Sequence, residues 1–89
     1  MDDKRLLEFY GGECPHCIRM KPLIQKVEQE LNVVFEKYEV WHNPENAKKM
    51  DEYDKGHCGG VPFFYNTGTH KWICGAVPYE QFKIFVSEG

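Results

Sequence analysis

Apolar and polar positions along the chain change period several times, and each change marks an element. The run KRLLEFY is rich in apolar residues and stops at Gly11-Gly12, which suits a buried strand closed by a turn. From Pro15 the period lengthens. Ile18, Leu23, Ile24, Val27 and Leu31 recur at helical spacing with Lys, Arg, Gln and Glu between them, predicting an amphipathic helix that runs to Leu31. Pro15 stands where a first-turn proline is tolerated, and Pro22, deeper inside, is expected to bend the helix. VVFEKYEVW reads as a second strand, which Asn43-Pro44 ends while opening a helix through PENAKKMDEY. DKGHCGG is a loop. VPFFYN and HKWICG, separated by the polar connector TGT with Gly68, read as a hairpin. The last helix, YEQFKIFVSE, starts behind Pro78 and carries Phe82, Phe85 and Val86 on one face.

The order β-α-β-α-β-β-α places the chain in the α/β class. Its opening β-α-β unit calls for a parallel pair and its closing hairpin for an antiparallel one. A four-stranded mixed sheet with helices on both faces follows, as a single domain over residues 1–89. In such a sheet functional residues gather beyond the carboxyl ends of the parallel strands. The segment GGECPHC falls at such an end.

Composition narrows the chemistry. A net charge of −3 without a basic run gives no field to hold a phosphate backbone, so nucleic acid is not an expected partner. No apolar run reaches membrane-spanning length, and the start, Met1 followed by two acids, lacks an apolar leader and reads as a cytoplasmic one. A monomer without cofactor or bound metal is expected. In a reducing compartment four cysteines suit catalysis or metal binding better than a disulfide framework.

Three tasks use the spacing of CPHC: thiol–disulfide exchange, half of a zinc site, or a structural crosslink. At the junction of strand, turn and helix, Cys14 would sit at a helix N-terminus, where free N–H groups and the helix dipole stabilise a thiolate. Cys14 is therefore the candidate nucleophile. Cys17, one turn further in and more shielded, is the candidate resolving thiol that displaces the product from a mixed disulfide. Pro15 and His16 lie between them. A hydrogen bond or positive charge from His16 toward the Cys14 sulfur would favour the reduced pair and make it more oxidising.

LLEFYGGECPHC, Pro22 five positions after Cys17, KYEVWHNP, GGVPFF, Gly68 and Gly75 together resemble the thioredoxin family over nearly the whole chain. The resemblance implies a thioredoxin fold without the family's extra N-terminal strand and helix, the minimal form also found in glutaredoxins. It implies a protein-disulfide oxidoreductase in cell redox homeostasis, with protein disulfides or dithiols as substrates and an unidentified reductase or dithiol donor as second partner. Glu8 falls at the family's buried carboxylate, and an acid inside an apolar strand is costly enough to suggest a task. That task would be to take the Cys17 proton, with Lys37 as the acid's partner. Val61-Pro62 matches the family's cis-proline site, leaving the Val61 backbone open to an extended substrate. Gly60 and Gly75 would line the same face, where missing side chains let a partner approach.

Several positions depart from the family pattern. Glu13 stands in place of the usual tryptophan, removing apolar docking surface and setting an acid beside Cys14 against His16. Trp41 replaces an acid of the second strand. Pro15-His16 resembles the motif of the periplasmic disulfide oxidants, whose helical insertion is missing here. Glutathione dependence, the glutaredoxin alternative, would call for an acid soon after Gly75, where Ala76 and Val77 stand. A zinc module using Cys14, Cys17, His57 and Cys58 has enough ligands but the wrong spacing, since His57 and Cys58 are adjacent. An adaptor that only binds proteins would not need both motif cysteines. Cys58 and Cys74 should approach the active face, either pairing, trapping a mixed disulfide, sensing redox state, or simply filling apolar space. His42 and His70 read as isolated, solvated residues.

Overall fold

The computed structural model describes residues 4–89, so Met1 and the two acids after it, on which the reading of the chain start rests, lie outside the described residues. The strands are β1 Leu6–Tyr10, β2 Phe35–Glu39, β3 Phe63–Asn66 and β4 Lys71–Cys74, and the helices are α1 Pro15–Leu31, α2 Pro44–Asp54 and α3 Tyr79–Ser87. They form one four-stranded sheet of order β2-β1-β3-β4. β1 runs parallel to β2 and antiparallel to β3, which pairs antiparallel with β4. The element order and the mixed sheet agree with the sequence reading.

Strand alternation divides the core in two. Leu6, Phe35, Phe64 and Ile73 meet Met20, Ile24 and Val27 of α1 and Phe82, Phe85 and Val86 of α3. Leu7, Phe9 and Phe63 point the other way, packing with Met50 of α2. The rings of Phe35 and Phe82 stack at 5.6 Å, and Phe64 meets Phe82 edge-on at 4.9 Å. Such pairs add to the stability that area burial supplies.

Boundaries differ from the sequence reading where backbone chemistry intervenes. β3 begins after Pro62, which has no N–H to give a ladder. β4 is bracketed by positive φ at His70 (61°) and Gly75 (91°). α1 is one helix with Pro22 inside it. The carbonyl that loses its partner there is that of Ile18, and both residues are exposed to water. Ile18 itself, expected on the apolar face, is 53% exposed; Cys17 and Met20 take the core-facing positions instead. The registry starting at Cys17 continues through Met20, Ile24 and Val27.

Asn66 ties the hairpin to the C-terminal helix. Fully buried, it donates to the carbonyls of Phe85 (3.0 Å) and Glu88 (2.9 Å) and accepts from Gly68 N–H (2.8 Å). Asn66→Ala is expected to lower unfolding free energy by about 2 kcal/mol, because it strands buried polar groups. Urea denaturation would check this, and an unchanged midpoint would mean that water satisfies those groups.

Candidate active site

β1 and β2 end together, and four residues separate the end of β1 from the start of α1. The turn between them is held from β2. Glu39 accepts N–H groups from Gly12 (2.9 Å), Trp41 (3.1 Å) and His42 (2.9 Å). A Cβ on Gly11 would collide with the Trp41 ring, so the indole lies directly on the turn backbone. Only glycine permits that approach. Trp41 is nevertheless 51% exposed, leaving an apolar face beside the cysteine motif.

Cys14 is the N-cap of α1, with extended φ of −74° and ψ of 117°. Its sulfur accepts the Cys17 N–H at 3.2 Å, the bond that a serine or aspartate oxygen makes at other helix starts. Pro15 follows at the first helical position, where a missing N–H costs nothing. Both motif cysteines are free thiols. They are almost equally buried, Cys14 at 3% and Cys17 at 2% exposure, so the extra shielding expected of Cys17 is slight. The loop before β3 accounts for this, since the Val61 carbonyl stands 3.9 Å from the Cys14 sulfur. The Val61-Pro62 bond is cis.

His16 is exposed, and its ring makes no hydrogen bond to Cys14 among the described residues. The donor at that sulfur is backbone. Glu13 turns away as well: its carboxylate meets His42 Nε2 at 2.7 Å, so His42 is neither isolated nor merely solvated. The hydrogen bond and charge of Glu13 raise the His42 pKa. His70 likewise has a partner, with Tyr65 Oη 3.1 Å from its Nδ1.

Beneath the motif lies Glu8, 4% exposed, at the side of a cleft of about 300 Å³ lined also by Tyr10, Lys21, Ile24, Gln25 and Lys37. Burial pushes its carboxyl up to about 7, with Lys37 and Lys21 pulling the other way. Cys17 is pushed up to about 12, first by burial, then by its contact with Cys14. The expected Glu8–Lys37 ion pair is not formed. Although Lys37 sits opposite Glu8 in the β1–β2 register, its ammonium bonds Glu28 at 2.9 Å. Glu28 also accepts the Phe35 N–H at 2.8 Å, which fixes its carboxylate beside β2. A half-exposed pair avoids the desolvation that joining Glu8 would demand.

On the far side of Cys14, Gly60 and Gly75 each leave open space where a Cβ would stand. Gly75 N–H donates to the Pro62 carbonyl at 2.8 Å, joining the end of β4 to the proline. Asp54, 2% exposed, accepts the N–H groups of Cys58 and Gly59 (2.8 Å for Gly59). Sequence reasoning missed Asp54 and Glu39. An acid closing a helix before a glycine-rich loop, and one closing a strand before a turn, were the available signals. Cys58 and Cys74 are joined in a disulfide. Cys58 is thus unavailable as a zinc ligand, and His57 stacks on Trp72 at 4.7 Å, so the zinc set is not assembled.

The family model described as Thioredoxin matches residues 1–86. Mitochondrial thioredoxin 3 from Saccharomyces cerevisiae, in its oxidized form, superposes with a TM-score of 0.72 at 27% identity, over 97% of this chain and 79% of that one. A chain from structural work on thiol resolving in yeast mitochondrial 1-Cys peroxiredoxin via glutathione/thioredoxin systems gives 0.72 at 26% identity, with the same coverage of 97% and 79%. Chloroplastic thioredoxin z gives 0.73 at 20% identity over 96% of this chain and 76% of that one, a likeness of fold. Comparison with curated proteins returns no match. No helix among the described residues is long and apolar enough to cross a membrane.

The raised Glu8 carboxyl carries a pH signature. Folded protein keeps a proton that the unfolded chain releases above 4.5, so this group makes stability fall as pH rises from there to about 7. A shift of that size corresponds to about 3 kcal/mol. Urea unfolding between pH 5 and pH 7 is expected to show Glu8→Gln gaining on wild type as pH rises; a constant difference would place Glu8 in a water-like setting.

Proposed function

The chain belongs to the thioredoxin family, whose reaction is thiol–disulfide exchange, and from that premise we propose that it is a protein-disulfide oxidoreductase working through Cys14 and Cys17. The observation that carries this reading is the Cys14 sulfur at the α1 N-cap, bonded to Cys17 N–H and facing the Val61 carbonyl next to Pro62. A thiolate there has a backbone donor on one side and a place for an extended substrate on the other.

The Cys14 thiolate attacks one sulfur of a protein disulfide. A Cys14–substrate mixed disulfide forms, and the other substrate sulfur leaves as a thiolate. Cys17 then attacks the Cys14 sulfur, forming the Cys14/Cys17 disulfide and releasing the second substrate thiol. Two electrons have passed to the substrate. The high pKa of Cys17 makes a base necessary for this second step, and Glu8, titrating at about 7 and close enough for its charge to act on Cys17, is suited to accept the proton. Lys37 and Lys21 favour the ionised form of Glu8 from the cleft wall. The backbone of Val61, with Pro62 beneath it and open space at Gly60 and Gly75, aligns the substrate. A separate dithiol donor returns the pair to the reduced state. His16, exposed, can modulate the pair by charge without touching the sulfur.

Insulin reduction tests the assignment. Cys14→Ser is expected to abolish turnover, while Cys17→Ser accumulates mixed disulfides visible by mass spectrometry. Glu8→Gln should slow turnover by about 10²-fold or more, the scale of a lost general base, and remove a rate-controlling group titrating near 7. Normal turnover by Cys14→Ser would eliminate the mechanism.

A further inference from the structure

The loop that leads into Pro62 is fastened at two points, one of which a thiol can break. On one side the Asp54 carboxylate holds the N–H groups of Cys58 and Gly59. On the other, Cys58 is bonded to Cys74 at the end of β4, with a Cα separation of 5.5 Å across 16 positions of sequence. Only Gly59, Gly60 and Val61 lie between this disulfide and Pro62. A Cβ on either glycine would meet nothing within 4 Å, so the segment gains no packing there. Val61 packs against the cluster of Leu7, Phe9, Met50 and Phe63, and the two fasteners hold the stretch of chain that delivers its carbonyl to Cys14.

The sulfurs differ in access. Cys58 is half-buried against the cluster of Leu7, Phe9, Met50 and Phe63, whereas Cys74 is exposed. The Cys58 sulfur also lies 3.3 Å from the Gly60 carbonyl, an acceptor for the proton that Cys58 would carry as a thiol. We propose that Cys58–Cys74 is a second redox site of this protein, attacked at Cys74 by an external dithiol, and that its reduction frees segment 59–61 and weakens docking of protein substrates. The docking consequence rests on Cys14 and Cys17 being the exchange pair.

The step is balanced. A thiolate of the external dithiol bonds to the Cys74 sulfur as the Cys58–Cys74 bond breaks, and Cys58 leaves as a thiolate that takes a proton from solvent. The reagent's second thiol then displaces Cys74. Two thiols remain on the protein, and the reagent becomes a disulfide. Asp54 then becomes the remaining fastener of the two, and the glycines let the backbone move.

A variant with Cys14→Ser and Cys17→Ser isolates the second pair. Equilibrated in dithiothreitol redox buffers, it is expected to show a reversible two-electron transition while folded, with amide exchange at 59–61 about tenfold faster once reduced. In insulin reduction, at a reductant potential that the first arm shows to leave Cys58–Cys74 joined, wild type and a Cys58→Ser/Cys74→Ser double variant are then compared. KM should rise about fivefold in the double variant, with kcat and the turnover of a small aromatic disulfide within about twofold of wild type. A pair that opens only on unfolding, exchange that ignores its redox state, or an unchanged KM overturns the proposal. The first arm does not depend on the double variant folding. Wild type that reduces no insulin removes the exchange-pair reading, and the docking consequence falls with it; an active wild type with an unaltered double variant sinks only the second site.

Discussion

The packing of α1 across the parallel pair is the contact on which the rest of the molecule depends. Met20, Ile24 and Val27 lie against Leu6, Phe35 and Phe64, with Phe82 and Phe85 closing the layer. Their burial leaves the helix little freedom to slide, because a shift of one residue would replace a core side chain by a polar one. The N-terminus of α1 is thereby held beyond the end of β1, and the residue that caps it is Cys14. The hydrophobic core thus sets where the unpaired N–H groups of the helix fall relative to the Cys14 sulfur.

The same layer explains why Glu8 is unusual. It belongs to the face of β1 that also carries Leu6, so α1 covers it and raises its carboxyl to about 7. Relief comes from Lys37 and Lys21 without a direct ion pair. A carboxyl kept in this range exchanges protons near neutrality, whereas a tightly paired one would stay ionised and a fully enclosed one protonated.

Around the cysteine pair, backbone is held by side chains drawn from other elements. Glu39 gathers three N–H groups of two adjoining turns, Trp41 covers Gly11, and Asp54 holds the loop before Pro62. Trp41 also brings an indole beside a motif whose preceding residue is Glu13. Glu13 in turn is occupied by His42. Acid and indole have thus taken each other's expected places on one surface, so an apolar face persists beside Cys14.

Periodicity together with proline and glycine punctuation placed the elements, because a strand covered by helices and a helix lying on a sheet leave different spacings of apolar residues. The CPHC spacing and the glycines before it fixed where a thiol pair meets a helix start, since capping and turn geometry are local properties. Lys37 could not be matched to Glu28 from the sequence, nor Glu13 to His42, because both partnerships depend on distances between separate elements and on the cost of burying charge. Nor could Cys58 be joined to Cys74 with certainty: four cysteines admit several pairings, and only the meeting of the loop with the end of β4 selects one. The sequence by itself determined the fold and where its central thiol pair lies; tertiary structure decided which charges meet, how deeply Cys14 lies and what fastens the loop before β3, because those are settled by three-dimensional proximity and shared burial.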